Sequence, residues 1–205
     1  PARLLEEGRL LIPGFDPHYH LHRINETILH WPSVPLFDRG MNHPDGAMIV
    51  WPPLFDFFMA TVALLAGCSE EIGCVEKVTG SLIPLIGVAT CVPLYFIARE
   101  NFGKEVALIS SLLLILSPVH IWYSRFGFVD HHTWVTLLSV TMIWVTLKMI
   151  RAEQQGRWQV TLALILSAGL LSWNGFLFYV ALLDGFLLLL LILEKETKTA
   201  KIGTA

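Results

Sequence analysis

Charged residues are scarce in this chain of 205 residues. They make up 15% of it, whereas an average globular chain has about 25%, and hydrophobic residues make up 54%. Mean hydropathy is +0.60. Several nearly uncharged apolar stretches have about 15 to 20 residues, the length that a helix needs to cross a bilayer. These features exclude a water-soluble domain and a disordered chain, and they predict an all-α, polytopic integral membrane protein.

Cysteine and basic charge are also in short supply. The chain has 3 cysteines, too few for a disulfide-knotted mini-protein. Its 14 basic residues face 17 acidic ones, for a net charge of −3, which argues against a nucleic-acid partner because such proteins carry a basic face. We find no internal repeat, no nucleotide-binding loop and no Ser-His-Asp arrangement in the sequence.

Apolar runs divide the chain near residue 77. Residues 1–77 hold most of the polar and aromatic side chains and form a predicted external loop with interfacial helices. Within this loop, 54–67 is apolar but too short to span a bilayer, and it contains Asp56. Residues 78–205 form a predicted transmembrane bundle of about five helices, at 78–98, 106–122, 133–150, 158–171 and 175–193.

The basic residues orient these helices, because cytoplasmic loops carry the excess of Lys and Arg. Lys148, Arg151 and Arg157 place the link between the third and fourth helices inside. Residues 1–50 and the link 123–132 then lie outside. All histidines fall on or near that external face: His18, His20, His22, His30, His43, His120, His131 and His132. Polar residues also collect in loops for structural reasons, but this clustering is what an active site on the extracytoplasmic face of the cell membrane would produce.

The first candidate motif is Asp16-Pro17. Asp is a common N-cap and Pro favours the first helical position, so a helix is predicted to begin here with Asp16 as its cap. Apolar side chains then recur at spacings of three and four, at Leu21, Ile24, Ile28 and Trp31. This spacing predicts an amphipathic helix at the membrane interface. A purely structural cap explains Asp16 equally well.

Asp130 and His132 form the second motif, at the external mouth of the third predicted span. Residues two apart diverge on a regular helix. They converge here only if Asp130 is the non-helical cap and His132 lies in the first turn, which is where the sequence places them. Carboxylate oxygen with imidazole nitrogen suits a divalent metal such as Mn²⁺ or Zn²⁺, although an Asp-x-His pair alone is a weak signal.

A third motif covers residues 43–56. Pro44-Asp45-Gly46 has the composition of a turn, and Trp51 suits the boundary between headgroups and hydrocarbon. A structural loop and membrane anchor is the favoured interpretation of this motif.

In this order, the three motifs resemble the catalytic subunit of oligosaccharyltransferase in its prokaryotic single-subunit form, over essentially the whole chain. The matching pieces are the Asp-Pro opening with Tyr19-His20, the Pro- and Gly-containing stretch before a short apolar helix, and the Gly-x-x-Asp-x-His link of 127–132. The loop 172–175 is similar to the family's short Trp-containing loop. The resemblance implies a GT-C glycosyltransferase that moves an oligosaccharide from a polyprenyl (dolichyl-type) pyrophosphate onto asparagine of Asn-X-Ser/Thr sequons, which is protein N-glycosylation.

The resemblance also implies the roles of individual residues. Asp16, Asp130 and His132 would hold a divalent metal, Mn²⁺ or Mg²⁺ with Zn²⁺ as a further option, that acts as a Lewis acid. Asp16 and Asp130 would be the catalytic residues, with Asp16 also contacting the acceptor amide. Apart from the resemblance, a pyrophosphate leaving group needs positive charge, which Arg23 or Arg125 would supply. The partners would be the lipid-linked oligosaccharide, an acceptor polypeptide and the bilayer.

We expect this chain to be an internal fragment, because it opens at Pro1 without a methionine or signal peptide and stops just after an apolar segment. Compared with the family it lacks a preceding span, a later external loop with a glutamate, and a soluble C-terminal domain that reads the sequon. The chain alone is therefore expected not to transfer glycan.

Two alternatives remain open at this point. Another GT-C transferase, with a polyprenyl-phosphate sugar as donor, would also carry an aspartate in its first external loop, and a downstream sequon-reading domain would decide between the two. A transporter would place ionisable residues inside several spans, whereas only Asp184 clearly lies within one. A disulfide between Cys68 and Cys74 is conceivable on the external side, but the odd cysteine count leaves it open.

Overall fold

The computed structural model describes residues 5–6, 9–10, 12, 14–69 and 72–203. Two short antiparallel pairs of strands are present in this part of the chain: β1 (Leu5–Glu6) with β2 (Arg9–Leu10), and β3 (Phe37–Asp38) with β4 (Ala47–Met48). The helices are α1 (Phe15–Leu29), α2 (Leu54–Leu65), α3 (Ile72–Ala89), α4 (Cys91–Phe102), α5 (Lys104–Leu116), α6 (Pro118–Ser124), α7 (His131–Arg151), α8 (Gly156–Leu170) and α9 (Phe176–Gly203). The all-α, polytopic membrane fold is confirmed.

The number of helices that can span a membrane is smaller than the five predicted. Among the described residues, Gly73–Phe102, His131–Arg151 and Phe176–Leu193 are long and apolar enough. A fourth candidate is the pair α5 and α6, which are bent by 62° to one another where Pro118 begins α6. The remaining predicted span, α8, has 15 residues and is only about 22 Å long, against a hydrocarbon core of about 30 Å.

Helix α8 nevertheless runs antiparallel to α7 and returns the chain to the end at which α7 begins. The indole Nε1 of Trp134, in the first turn of α7, donates to Ser172 Oγ at 2.9 Å, just beyond α8. The backbone N–H of Leu54, at the start of α2, donates to Leu171 O at 2.9 Å. The beginnings of α2 and α7 and the end of α8 therefore meet at one end of the bundle.

Helices α1 and α2 pack on α3 at this same end. Their shared core contains Leu21, Ile24 and Ile28 from α1, Phe55, Met59 and Ala63 from α2, and Val75 and Ile83 from α3. The apolar stripe of α1, predicted to lie at the membrane interface, is thus buried against protein as far as Ile28. Trp31, which continues the stripe, remains 42% exposed and stacks on Phe57 with 4.7 Å between ring centroids.

A disulfide links the turn that follows α2 to the first turn of α3. Helix α2 has 12 residues and ends without spanning a bilayer, as its short apolar run predicts. Gly67, with φ of +84°, turns the chain after it. Cys68 and Cys74 then form a disulfide with their Cα atoms 5.6 Å apart, so the pairing that the sequence left open is present.

The loop before α2 has the turn predicted from its composition. The N–H of Asp45 donates to Asn42 O at 3.1 Å, and Gly46 has φ of +75°, a conformation that favours glycine. Trp51, interpreted as a headgroup anchor, faces α1, with its ring centroid 5.3 Å from that of Tyr19 and 5.6 Å from that of His20. The loop therefore packs along one side of α1.

Candidate active site

Asp130 lies at the centre of the candidate site. It is the residue before α7, in extended conformation with φ −141° and ψ 153°, and its side chain makes no capping hydrogen bond. The preceding turn contains Gly127, with φ of +82°, whose N–H donates to Gly80 O of α3 at 3.2 Å. Asp130 is 2% exposed. Because its carboxylate does not cap α7, it can contact side chains of other helices.

One oxygen of Asp130 faces two buried histidines. His131 Nδ1 lies 2.8 Å from Asp130 Oδ1, and His20 Nε2 lies 3.6 Å from the same oxygen. The two imidazole nitrogens are 3.1 Å apart. Despite this proximity, Asp130 Oδ1 has no hydrogen-bond partner within the described part of the chain. We call His20, Asp130 and His131 the buried donor group.

The other oxygen of Asp130 faces an open cavity. His132 Nε2 lies 3.7 Å from Asp130 Oδ2, and the His132 side chain is 40% exposed. A cavity of about 290 Å³ is lined by Asp16, Asp130 and His132 together with Arg125 and neighbouring aromatic residues. The predicted ligands therefore converge on one cavity, and we call Asp16, Asp130 and His132 the cavity donor group.

The predicted capping role of Asp16 is wrong. Helix α1 begins at Phe15, and its N-cap is Gly14, with φ of +94° and ψ of 166°. Because a glycine in this conformation starts the helix, Asp16 lies inside the first turn rather than at the N-cap position. The Asp16 carboxylate is exposed and borders the cavity, so it remains accessible to a ligand.

The two arginines predicted to contact pyrophosphate lie in different places. Arg125 borders the cavity, and its guanidinium carbon lies 3.7 Å from the centroid of the Trp122 ring. Its Nε and Nη2 atoms are buried and have no hydrogen-bond partner among the described residues. Arg23 is 1% exposed and lies on the inner side of α1, where Asp56 and backbone carbonyls bind it. Only Arg125 is presented to the cavity.

Sequence reasoning missed the part of the site behind Asp130. His20 Nδ1 donates to Asp56 Oδ1 at 2.7 Å, across 36 positions in the chain, and His131 was not singled out as a ligand. An ionisable group in an apolar helix usually has a partner, so Asp56 in α2 was a usable signal. His18 and His22, in contrast, are exposed, as expected for histidines that alternate with His20 along a helix.

Charges in the buried donor group stabilise one another. Burial opposes a positive charge on His20, but the adjacent Asp56 carboxylate, helped by Asp130, raises the pKa of His20 above its usual value. Burial likewise opposes ionisation of Asp130, but its contact with His131 and the charges of His132 and His20 hold the pKa of Asp130 below its usual value.

The residues of this site fit a divalent metal. One ligand atom each from His20, Asp130 and His131 lie within 4.8 Å of one another. Metal ions bind nitrogen and oxygen ligands at about 2.0–2.2 Å, so two ligands of one ion lie roughly 3–4 Å apart, like the atoms of this group. The mixture of imidazole and carboxylate suits Zn²⁺ or Mn²⁺ better than Mg²⁺, which prefers oxygen ligands. Asp130 belongs to both donor groups, so either group can use it.

Comparison with known proteins gives relatives of one kind. Dolichyl-phosphooligosaccharide-protein glycotransferase 2 of Archaeoglobus fulgidus is 35% identical over 180 residues, which cover 86% of this chain and 28% of the relative. The dolichyl-monophosphooligosaccharide-protein glycotransferase AglB of Haloferax volcanii is 28% identical over 133 residues, covering 62% of this chain and 12% of that protein. The chain thus spans little more than a quarter of the first relative's length.

Solved structures share the fold. The crystal structure of the Archaeoglobus fulgidus oligosaccharyltransferase in complex with zinc and sulfate has a TM-score of 0.80 at 22% identity, over 91% of this chain and 24% of that chain. The oligosaccharyltransferase AglB of the same organism, in complex with an inhibitory peptide and a dolichol-phosphate, has a TM-score of 0.82 at 21% identity, over 90% and 22% of the two chains. The family model described as oligosaccharyl transferase STT3, N-terminal, matches residues 5–204, and the chain belongs to this family.

Proposed function

We propose that the full-length protein transfers an oligosaccharide from a polyprenyl pyrophosphate carrier to the asparagine of an Asn-X-Ser/Thr sequon. The observation that carries the proposal is the convergence of Asp16, Asp130, His132 and Arg125 on one cavity. The name of the relative in Archaeoglobus fulgidus, dolichyl-phosphooligosaccharide-protein glycotransferase 2, supports transfer of an oligosaccharide from a dolichyl carrier to protein.

Asp16 is the proposed contact of the acceptor. In the reaction, the amide nitrogen of the acceptor attacks the anomeric carbon of the glycan, and the bond from that carbon to the pyrophosphate oxygen breaks. The nitrogen must lose a proton as its new bond forms. Asp16 is an exposed carboxylate at the edge of the cavity, so it can accept a hydrogen bond from the acceptor N–H and then take the proton.

Arg125 is the proposed contact of the leaving group. A departing pyrophosphate develops negative charge, and guanidinium groups bind phosphate oxygens through paired N–H donors. The Nε and Nη2 donors of Arg125 have no partner within the described residues, and stacking on Trp122 holds the guanidinium plane in position. Arg23 is assigned a different role, because Asp56 already binds its guanidinium.

The cavity donor group is the proposed metal site, with Asp130 and His132 as ligands and Asp16 at its open edge. A divalent cation bound there, Mn²⁺, Mg²⁺ or Zn²⁺, would act as a Lewis acid and neutralise the carboxylates. Asp130 is buried, so the surrounding protein holds this ligand in place. His132 is partly exposed, so this ligand lies next to the space for the substrate.

The proposed site lies on the extracytoplasmic face of the cell membrane. Gly80 of α3 is level with the site, since Gly127 binds it. Twenty positions further along the α3–α4 span, Glu100 pairs with Lys148 at 2.7 Å, which places this basic residue at the opposite end. The disulfide at Cys74 lies in the other direction from Gly80, on the site's side. Disulfides persist in oxidising compartments, which supports this orientation.

The main alternative is a donor whose lipid carrier has one phosphate instead of two. The Haloferax volcanii relative is named for a dolichyl-monophosphooligosaccharide, which favours a monophosphate carrier as the second candidate. Transfer assays with matched donors that differ only in this phosphate distinguish the two. A preference for the pyrophosphate that disappears in Arg125→Gln would support the proposed contact.

The proposal is tested with the full-length protein and a sequon peptide. We expect Asp16→Ala, Asp130→Ala and His132→Ala each to lose transfer, and EDTA to abolish transfer by the unaltered protein until Mn²⁺ is restored. His22→Gln is the matched control, since it removes an exposed histidine of the same helix as Asp16 that does not line this cavity. An unaltered protein that is inactive on sequon peptides, or that is indifferent to the three substitutions, would contradict the proposal.

A further inference from the structure

A buried ion pair stands directly behind the site. Asp56 is fully buried, and its two oxygens have different partners. Asp56 Oδ1 accepts the hydrogen bond from His20 Nδ1 at 2.7 Å, and Asp56 Oδ2 accepts one from Arg23 Nη1 at 3.0 Å. A buried carboxylate is costly unless it is paired and hydrogen-bonded, and here both conditions are met.

Arg23 is itself held by the backbone that leads into α2. Its Nε donates to Pro35 O at 2.9 Å, and its Nη1 also donates to Trp51 O at 2.8 Å. A guanidinium cannot give up its proton in a protein. Asp56 Oδ2 therefore always faces a donor, and the carboxylate cannot rotate without losing that bond.

This arrangement determines which nitrogen of His20 carries a proton. Asp56 can only accept, so the proton of a neutral His20 lies on Nδ1. The lone pair is then on Nε2, which faces His131 Nδ1 at 3.1 Å and Asp130 Oδ1 at 3.6 Å. Metal-binding histidines commonly donate their other N–H to a carboxylate in this manner, which fixes the ring and makes the ligand nitrogen more basic.

We propose that His20 is a further metal ligand, acting through Nε2, and that Asp56, anchored by Arg23, is the positioning residue that presents this nitrogen to the metal. The inference rests on the proposed function in that it assumes a divalent metal at Asp130. It places the ion at the Asp130 carboxylate, whose Oδ1 lies 3.6 Å from His20 Nε2 and whose Oδ2 lies 3.7 Å from His132 Nε2, so that both donor groups contribute ligands. Asp56 keeps the proton of His20 on Nδ1, so Nε2 presents its lone pair to the metal.

Asp56→Asn tests whether Asp56 positions His20 or only packs between α1 and α2. The substitution keeps the shape of the side chain and changes one carboxylate oxygen into an NH₂ group. If this NH₂ faces Arg23, two donors oppose each other. If it faces His20, the amide oxygen still satisfies Arg23, but His20 must accept at Nδ1. The second arrangement has the lower free energy, because a neutral His20 can carry its proton on either ring nitrogen, whereas Arg23 can only donate. The proton then moves to Nε2, and His20 can no longer bind metal.

The test measures metal affinity rather than glycan transfer. The full-length protein is stripped with EDTA in detergent, and binding of Mn²⁺ is followed by the loss of the free-ion signal in electron paramagnetic resonance. We expect Asp56→Asn and His20→Gln each to weaken binding by about 10- to 100-fold, the usual effect of removing the carboxylate behind a histidine ligand. The double variant should bind no more weakly than His20→Gln alone, because Asp56 acts through His20.

Thr27→Val is the matched control for the helix. Thr27 is fully buried in α1, and its hydroxyl donates to the carbonyl of Arg23 at 2.7 Å. Loss of this bond should leave Mn²⁺ affinity unchanged. Unchanged affinity in Asp56→Asn, or an equal further loss when Asp56→Asn is added to His20→Gln, would overturn the positioning role. Either result would mean that Asp56 only fastens α1 to α2.

A second measurement does not require Asp56→Asn to fold. X-ray absorption of the Zn²⁺-loaded protein counts imidazole ligands, and we expect His20→Gln to contain one fewer than the unaltered protein. An equal count in the two proteins would exclude His20 as a ligand. Absence of any Mn²⁺ or Zn²⁺ binding by the unaltered protein would contradict the metal of the proposed function as well, so the two failures are distinguishable.

Discussion

Trp134 and Ser172 are 38 positions apart, yet the indole Nε1 of Trp134 donates to the Ser172 hydroxyl at 2.9 Å. Ser172 is fully buried and its own hydroxyl donates to Ala168 O at 2.7 Å. The pair fastens the start of α7, which carries His131 and His132 of the site, to the turn after α8.

Trp134→Phe is expected to destabilise the protein by about 1 kcal/mol, the typical net contribution of one hydrogen bond. Trp144→Phe is the matched control. Trp144 is also in α7 and also stacks on a phenylalanine, but its Nε1 has no partner within the described residues. Thermal unfolding in detergent should show a lower midpoint for Trp134→Phe than for Trp144→Phe. Equal midpoints would show that the bond to Ser172 contributes nothing.

Gly87→Ala is expected to separate α3 from α6. A Cβ at Gly87 would lie 2.5 Å from Ser124 Cβ, so α6 must move, at a cost of about 1–3 kcal/mol. Since α6 leads directly into Arg125, transfer activity should fall together with the thermal midpoint. Gly185→Ala in α9 has open space around the new methyl group and should be neutral or slightly stabilising. Equal effects of the two substitutions would contradict the close packing at Gly87.

Asp38 should contribute to stability in a pH-dependent manner. The backbone N–H of Gly40, at 2.7 Å, and the hydroxyl of Tyr19, at 2.9 Å, donate to its carboxylate and hold its pKa below the usual value. The stabilisation is therefore present above the unfolded pKa of about 3.9, and it is lost as the pH falls through the lower, folded value. Thermal midpoints should separate unaltered protein from Asp38→Ala at pH 6 and converge well below pH 4.

The control for this pH series is Asp45→Ala, which removes an exposed aspartate from the same loop. It should follow the unaltered protein throughout. A difference between unaltered protein and Asp38→Ala that persists at the lowest pH would assign the effect to packing rather than to the charge of Asp38.

Cysteine labelling tests the proposed orientation. In intact cells, a membrane-impermeant maleimide should react with Cys74 once Cys68→Ser has removed its disulfide partner. It should not react with Gln154→Cys, in the link between α7 and α8 at the opposite end of the bundle. The double variant Cys68→Ser/Cys74→Ser measures background labelling, including that of Cys91, the remaining cysteine of these 205 residues. Labelling of Gln154→Cys but not of Cys74 would show that the site faces the cytoplasm and would contradict the proposed orientation.

Local sequence signals predicted the parts of the site that depend on neighbouring residues. Asp130 is the non-helical residue before α7 and His132 follows in the first turn, as their spacing requires. Asp16 borders the same cavity, although Gly14 rather than Asp16 begins the helix. The roles of Asp16, Asp130 and His132 in metal binding stay a prediction.

The rest of the site depends on packing between distant segments. His20 meets Asp56 across 36 positions and His131 across 111, and no local pattern specifies either contact. The same limit explains the helix count. Hydropathy detects apolar length, but it does not detect the bend of 62° before α6.

The shortness of α8 determines how deep the neighbouring loop lies in the membrane. A helix of about 22 Å is some 8 Å shorter than the hydrocarbon core beside it, so either the bilayer thins around it or its ends are drawn below the headgroups. In both cases the loop 172–175 cannot project far above the lipid phosphates. Trp173 of this loop lies against His131, with 5.8 Å between ring centroids. A phosphate carried by a membrane lipid can therefore approach this edge of the site while its hydrocarbon chain stays in the bilayer.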